Sequence, residues 1–423
     1  MDGTADGGGT VKGKPAIAPL LSQFPAFNHA FMLREIMALR QAGFSIYPIS
    51  IVGPPVAVEK LTPDERTEYD RTFYVNQRNL AGVAADHLAT LLRHPAGYLR
   101  GLRGAWQMAG GRVADWPRCL RYFAGAVVAG RAMERAGYTH FHSHFCSTIA
   151  WLVLLVFENL TGSIAIHGPM EFDDVAGFRL ADKIKASRFM VAISDYGRSQ
   201  MMRCVPADQW GKIHVRRLGV DTGLYQLTEP RPEPRPFTLL SAGRLDPVKG
   251  FPVLLEAMAL LCRRGLEVQL RVAGGGGMMD WLERRRRELG IPDDRVIFEG
   301  WKSGDEMPAL YARADAFVLA SFAEGIPVVL MEAMARGVPC IATAVHGTPE
   351  LVVHRETGLL VAPGNAEALA DAVVQLIEDR ELRLRLATAG RRMVLERYEL
   401  SENTRALAEL FEQLLPAGET RAS

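Results

Sequence analysis

Two blocks of this sequence carry side chains whose types and spacing suit the binding of a bulky anion. The first is Ser241-Ala-Gly-Arg-Leu-Asp-Pro-Val-Lys-Gly250. A strand is expected to end at Gly243 and a helix to begin after Gly250. Loops at the carboxyl ends of strands are where open α/β sheets take ligands. Arg244 and Lys249 would place two cations there, matched to a diphosphate. In isolation they read equally well as surface cations beside a turn. The second block is Ser321-Phe-Ala-Glu-Gly-Ile-Pro-Val-Val-Leu-Met-Glu-Ala-Met-Ala-Arg-Gly337. Here a strand, Ala316 to Ala320, enters a Gly/Pro turn, and a helix is expected to start near Pro327. The N–H groups at that helix start form a natural anion site. Glu324 lies before the helix and Glu332 about a turn and a half inside it. One carboxylate is thus placed near a sugar, and one deeper, where ribose hydroxyls could donate to it. Glu332 could instead pair within its helix. The Glu-x7-Glu spacing is weak alone and strong with Gly325-Ile-Pro-Val-Val and Gly337-Val-Pro-Cys beside it.

His167 follows an apolar strand and precedes Gly168-Pro-Met-Glu171-Phe-Asp173-Asp174. A histidine in that place is often a satisfied core residue. The three carboxylates after it could touch sugar hydroxyls or cap the next helix. His142 and His144 alternate in a strand-like stretch, but no further ligand cluster accompanies them in the sequence, so metal binding is not expected.

The elements that must position these residues alternate between short apolar runs and helix-length amphipathic runs. That is the rhythm of parallel sheets with helices on both faces. Ala16 to Leu21, Ser45 to Val52, Thr139 to His142, Ser163 to Ile166 and Phe189 to Ile193 read as strands of a first domain. A helix from Ala30 to Gln41 should stop at Gly43, and the run after His142 reads as a buried helix. Thr228 to Pro236, TEPRPEPRP, holds four prolines and reads as an extended linker. Beyond it, Thr238 to Ala242, Glu267 to Ala273, Val296 to Glu299, Ala316 to Ala320, Pro339 to Thr343 and Gly358 to Val361 restart the rhythm. The expected division is a leader at 1–15, an acceptor-binding Rossmann-like domain at 16–227 and the linker at 228–236. A second, nucleotide-binding domain follows at 237–399, then a helix at 400–416 and a tail at 417–423. The fold class is α/β, with two Rossmann-like domains facing a cleft.

At 423 residues, 48% hydrophobic and 23% charged, the chain is large enough for two cores. Its net charge of +1 gives no argument for nucleic acid as a partner. Five scattered cysteines, with no Cys-x-x-Cys pair, read as reduced cytosolic thiols. Met1 to Lys14 is polar and Gly-rich without an apolar core, unlike a signal peptide. The longest apolar run, Ile149 to Phe157, is far below the ~18–20 residues that span a bilayer. A cytoplasmic protein is expected. Residues 88–137 hold eight arginines against Asp115 and Glu134, interleaved with tryptophan, tyrosine and phenylalanine. Such a segment suits the surface of an anionic membrane, here the inner face of the cytoplasmic membrane. The plainer reading is a set of solvated helices packed by their apolar faces.

Over nearly its whole length the chain resembles the retaining GT-B glycosyltransferases of family 4. The resemblance rests on Gly243-Arg244 to Lys249-Gly250, the Glu324 and Glu332 block, Gly347-Thr-Pro-Glu350, Arg217-Leu-Gly-Val-Asp221 and Ile166-His167-Gly168. It implies that Arg244 and Lys249 contact the donor diphosphate, Glu324 the donor sugar and Glu332 the ribose. His167 would lie by the sugar and phosphate, and Gly243, Gly325, Ile326, Pro327 and Val328 would line the donor site. It further implies a C-terminal helix crossing back to the first domain. The reaction would move a sugar from a nucleotide-sugar to a saccharide or lipid-linked saccharide, with no cofactor and no metal; no Asp-x-Asp occurs. Where many members have a Gly-Gly pair, this chain has Ser22-Gln-Phe-Pro-Ala-Phe-Asn-His29. That variant is similar to a subgroup acting in bacterial exopolysaccharide and colanic-acid-like assembly. It suggests Gln23, Asn28, His29 and Glu171 as contacts on the acceptor side. Two rivals stand beside this reading: a GT-B-shaped nucleotide-sugar 2-epimerase, and a non-catalytic sugar-nucleotide-binding scaffold. The Glu324 block argues against the first, and the retained Arg244, Lys249, Glu324 and His167 against the second.

Overall fold

Short runs rich in Val, Ile, Leu and Ala become strands because their side chains can be buried on both faces of a parallel sheet. In the computed structural model, which describes residues 14–26, 30–110, 112–145, 147–227 and 236–416, they build two such sheets. Residues 1–13 of the leader, Asn28, His29 and all of the proline-rich linker except Pro236 lie outside the described residues.

The first sheet contains β1 (Ala16–Gln23), β2 (Ser45–Ile46), β3 (Ile49–Val52), β4 (Phe73–Tyr74), β5 (His140–His144), β6 (Thr161–Ile166), β7 (Phe189–Ala192) and β8 (Ile213–Val215). Its order is β4-β3-β1-β5-β6-β7-β8, with β2 also beside β1. The second contains β9 (Phe237–Ala242), β10 (Val268–Ala273), β11 (Val296–Gly300), β12 (Ala316–Leu319), β13 (Cys340–Thr343) and β14 (Leu359–Val361), in the order β11-β10-β9-β12-β13-β14. Every pairing is parallel, including β1 with β5 through Ala18 and Phe141 and β9 with β12 through Leu240 and Phe317. In both sheets the winding reverses direction at the first strand. That reversal opens a crevice at the carboxyl ends, where open α/β sheets hold ligands.

Two expectations are adjusted. The stretch from Ser45 to Val52 is not one strand: it breaks at Tyr47 and Pro48, because proline has no N–H to give the ladder. Strand β5 extends two residues past His142, so His144 also lies within the sheet.

The last helix, Leu400–Leu414, leaves the second domain and packs on the first. Leu407, Leu410 and Phe411 are buried with Ile17, Leu21, Ile36 and Phe44. The chain crosses where Val220 N donates to Tyr398 O at 2.8 Å and Leu400 N to Val220 O at 3.1 Å. Gly219 is required there, since a Cβ would meet Leu400 Cα at 2.4 Å.

The arginine-rich segment forms helices Leu80–Arg93, Pro95–Met108 and Trp116–Ala136. Gly97, Gly101 and Gly104 press the middle helix against Ser147–Val156; a Cβ on Gly97 would stand 1.9 Å from Val156 O. Five of the eight arginines are paired with carboxylates: Arg100 with Glu158, Arg112 and Arg118 with Asp115, Arg131 with Glu134 and Arg135 with Asp86. Arg93, Arg103 and Arg121 face solvent, as do Leu88, Leu92, Leu99 and Trp106. Among the described residues no helix is long and apolar enough to cross a membrane, and Cys119, Cys204, Cys262 and Cys340 are free thiols.

Candidate functional site

The loop after β9 turns through Pro247–Lys249 into helix Phe251–Arg263. Gly250 sits at φ 67°, and a Cβ on it would lie 2.0 Å from Ala320 O, so only glycine lets this loop lie against the end of β12. Phe322 N donates to Val248 O at 2.7 Å and holds the two loops together. The consequence is chemical: Lys249 Nζ reaches Glu324 Oε1 at 2.6 Å, and Ser321 Oγ donates to the same oxygen at 2.6 Å. Glu324 is buried, while Arg244 is largely exposed and pairs with Asp246 at 2.6 Å. An incoming anion would therefore find one exposed cation at the rim and one held deeper.

Helix Val328–Ala335 starts at Pro327, and no side chain caps it. Leu330 N and Met331 N donate to Pro327 O, and the N–H groups of Val328 and Val329 are left for another acceptor. Glu332 lies one turn further in, accepting from Tyr311 Oη at 2.8 Å and also from the Tyr225 hydroxyl. Burial pushes its carboxyl above the usual glutamate range, against the pull of those two hydrogen bonds.

The opposite wall belongs to the first domain. His167 follows β6 directly and is 8% exposed. A Cβ placed on Gly325 would lie 1.9 Å from the His167 carbonyl oxygen, so the two lobes touch here through a glycine. Between them runs a cleft of about 750 Å³, within the range of ligand clefts. Gly243, Arg244, Lys249, Glu324, Gly325, Ile326, Pro327, Val328 and Glu332 line it from one side, and His167, Gly168 and Glu171 from the other. Burial raises the Glu171 carboxyl too. Gln23 is elsewhere: its side-chain amide donates to Gly53 O at 3.1 Å, away from the cleft wall. Asn28 and His29 fall outside the described residues.

The Gly347 to Glu350 motif and Arg217 serve as a tie between the lobes. Glu350 accepts from Asp195 N at 3.0 Å and Tyr196 N at 2.7 Å, capping helix Asp195–Arg203 from the other domain. Arg217 joins both Glu350 and Asp195, and Tyr196 stacks on His346.

Several residues of the site had no signal in the sequence. Trp301 and Lys302, just after β11, line the cleft. Tyr225 and Tyr311 hydrogen-bond Glu332 and oppose the effect of its burial. Behind His167, His144 Nδ1 is 2.7 Å from His167 Nε2, and His144 Nε2 is 3.0 Å from Glu35 Oε1. The histidines of β5 are therefore not isolated. Helix Ala30–Gln41 brings Glu35 to them, and the ligating atoms of Glu35, His142 and His144 lie within 4.8 Å of one another. A strand-end two residues longer than expected, and a contact spanning 109 residues, hid this cluster.

Residues 228–393 match the family model described as glycosyl transferases group 1. The chain is 36% identical over 385 residues to a protein of Escherichia coli (strain K12) named colanic acid biosynthesis glycosyltransferase WcaL, covering 83% of this chain and 87% of that protein. It is 34% identical over 237 residues to the Salmonella typhimurium protein of the same name, a match to 53% of this chain and 56% of that one. Sucrose-phosphate synthase from Thermosynechococcus elongatus shares the fold, with a TM-score of 0.73 at 20% identity over 96% of this chain and 100% of that one. Anabaena Alr3699/HepE in complex with UDP-glucose also shares it, with a TM-score of 0.70 at 17% identity over 94% and 99% of the two chains.

Proposed function

We propose, because the chain belongs to the group 1 glycosyl transferases, that this GT-B glycosyltransferase moves a sugar from a nucleotide-sugar to a polyprenyl-diphosphate-linked saccharide, in the assembly of a bacterial surface polysaccharide. The observation that carries the reading is the convergence of Arg244, Lys249, Glu324 and Glu332 on one wall of a 750 Å³ cleft, opposite His167. Arg244, Lys249 and the uncapped start of helix Val328–Ala335 supply positive charge where a leaving diphosphate would develop negative charge. A diphosphate would compete with Glu324 for Lys249 and release that carboxylate to the sugar hydroxyls. Glu332 would accept from the ribose. Transfer with retention follows if the acceptor attacks the face the diphosphate leaves, with a phosphate oxygen taking the acceptor's proton. No metal enters this scheme. Contact between the lobes at Gly325 and His167 limits the water that could hydrolyse the donor.

The colanic acid name of the relatives supports the polysaccharide setting, and the UDP-glucose bound by Alr3699/HepE makes uridine diphosphate sugars the first donors to try. The exposed Arg93, Arg103 and Arg121 beside Leu88, Leu92, Leu99 and Trp106 support docking of the first domain on the anionic cytoplasmic face of a membrane, where a lipid-linked acceptor would be met. The experiment is a panel of nucleotide-sugars scored for thermal stabilisation and slow hydrolysis. One donor should do both; a panel in which none does either would sink the reading. Sedimentation with anionic liposomes that weakens with salt supports the membrane face, and salt-independent or absent binding refutes it.

A further inference from the structure

His167 is held from behind by two groups that never reach the cleft. His144, at the end of β5, is 3% exposed and bonded at both ring nitrogens: Nδ1 to His167 Nε2 at 2.7 Å, Nε2 to Glu35 Oε1 at 3.0 Å. The Phe31 ring lies 5.1 Å from the His167 ring and 6.0 Å from that of His144, and the Phe145 ring 4.6 Å from His167. Packing on both sides confines the two imidazoles. Neighbouring His142 adds no proton to the set, since burial, and next the nearby His144, hold its ring well below the ordinary histidine range. Its Nδ1 is bonded to Ser163 Oγ at 2.7 Å.

With both rings neutral, the hydrogen bonds run in one direction only. A carboxylate accepts and never donates, so His144 must carry its hydrogen on Nε2. Its Nδ1 is then an acceptor, and His167 must donate from Nε2. A neutral His167 ring keeps its lone pair on Nδ1. One charge on helix Ala30–Gln41 thereby selects the tautomer and ring plane of a histidine on the cleft wall. We propose that Glu35 and His144 are positioning residues for transfer, acting through His167; the proposal rests on the reading of the cleft as the transfer site. They fix the orientation in which His167 meets the donor sugar and phosphate, and they sit on strand β5 and a helix, not on the loops that line the cleft.

The test is a set of variants with two readouts. Glu35→Ala and His144→Phe should each lower kcat roughly tenfold, the scale of one lost orienting hydrogen bond, with KM for the nucleotide-sugar within about twofold. Glu35→Gln should recover most of the loss, because its carboxamide oxygen still accepts from His144. In a His167→Ala background, Glu35→Ala should change nothing further. An equal fall with and without His167 overturns the proposal, as does a fall in kcat that merely follows a fall in Tm. The second readout needs no turnover: two-bond 1H–15N spectra of histidine-labelled protein should show the Nε2–H tautomer in both His144 and His167, and Glu35→Ala should change both. A His167 signal untouched by Glu35→Ala overturns the proposal even if no donor has been found, whereas failure of every donor strikes the functional reading alone. Activity lost to EDTA and restored by zinc would place a cation among Glu35, His142 and His144 and also overturn it.

Discussion

Replacing Gly325 by alanine measures how closely the lobes must meet for transfer. The added methyl would lie 1.9 Å from the His167 carbonyl oxygen and 3.1 Å from Ile193 Cδ1. Ordinary van der Waals contact would need the walls to part by about 1.5 Å. The backbone has no room to slide away, because a Cβ on Gly347 would itself stand 1.9 Å from Gly325 O. Glu324 is the residue before it, so the donor side of the cleft would move off His167 by a similar amount. Misplacement of reacting groups by about 1 Å costs on the order of 100-fold in rate, or about 2.7 kcal/mol of barrier. Steady-state kinetics of Gly325→Ala should therefore show kcat reduced about 100-fold. The methyl meets the core only at the side-chain end of Ile193, so Tm should stay within a few degrees of the parent. A variant with kcat within twofold of the parent would refute the idea that this contact sets the productive geometry.

If Arg244 and Lys249 face the leaving diphosphate as proposed, Arg244→Ala and Lys249→Ala should each cut transfer by about 10²–10³-fold while circular dichroism stays unchanged. Because burial raises the Glu332 carboxyl, donor affinity should weaken as pH falls through a value above the ordinary 4.5, the ionised form being the better acceptor for ribose hydroxyls; Glu332→Gln should bind more weakly and without that pH dependence. The sign for folding is opposite: with the folded value raised, this group favours the native state at low pH and loses that contribution as pH rises through it. Tyr311→Phe removes a hydrogen bond to the charged form, so the affinity limb should move to still higher pH in calorimetric titrations. Glu350→Ala leaves two helix-start N–H groups without their acceptor and Arg217 with one of its two carboxylate partners, and chemical denaturation should show a loss of about 1–3 kcal/mol.

Much of the fold was legible because its signals are local. Strands such as β9 and β12 are apolar runs closed by Gly or Pro, and the Glu324 and Glu332 spacing depends on a single strand, turn and helix. Pro48 gives little sign of a break in the ladder because the residues around it are otherwise strand-like. What the sequence hid is non-local. Glu35 meets His144 across 109 residues, Tyr225 and Tyr311 converge on Glu332 from different elements, and Glu350 caps a helix of the other domain. None of these pairs has a periodicity to read. The arginine-rich segment was half legible: its basic and aromatic character was plain, but which arginines pair inward depended on the placement of Asp86, Glu134 and Glu158.

The central claim is that a nucleotide-sugar binds with its diphosphate at Lys249 and its ribose at Glu332. Isothermal titration of the stabilising donor against the parent, Lys249→Ala and Glu332→Ala tests it most directly. The account predicts saturable binding to the parent and at least tenfold weaker binding to each variant, corresponding to about 1.4 kcal/mol or more. Equal affinity in all three proteins would contradict it.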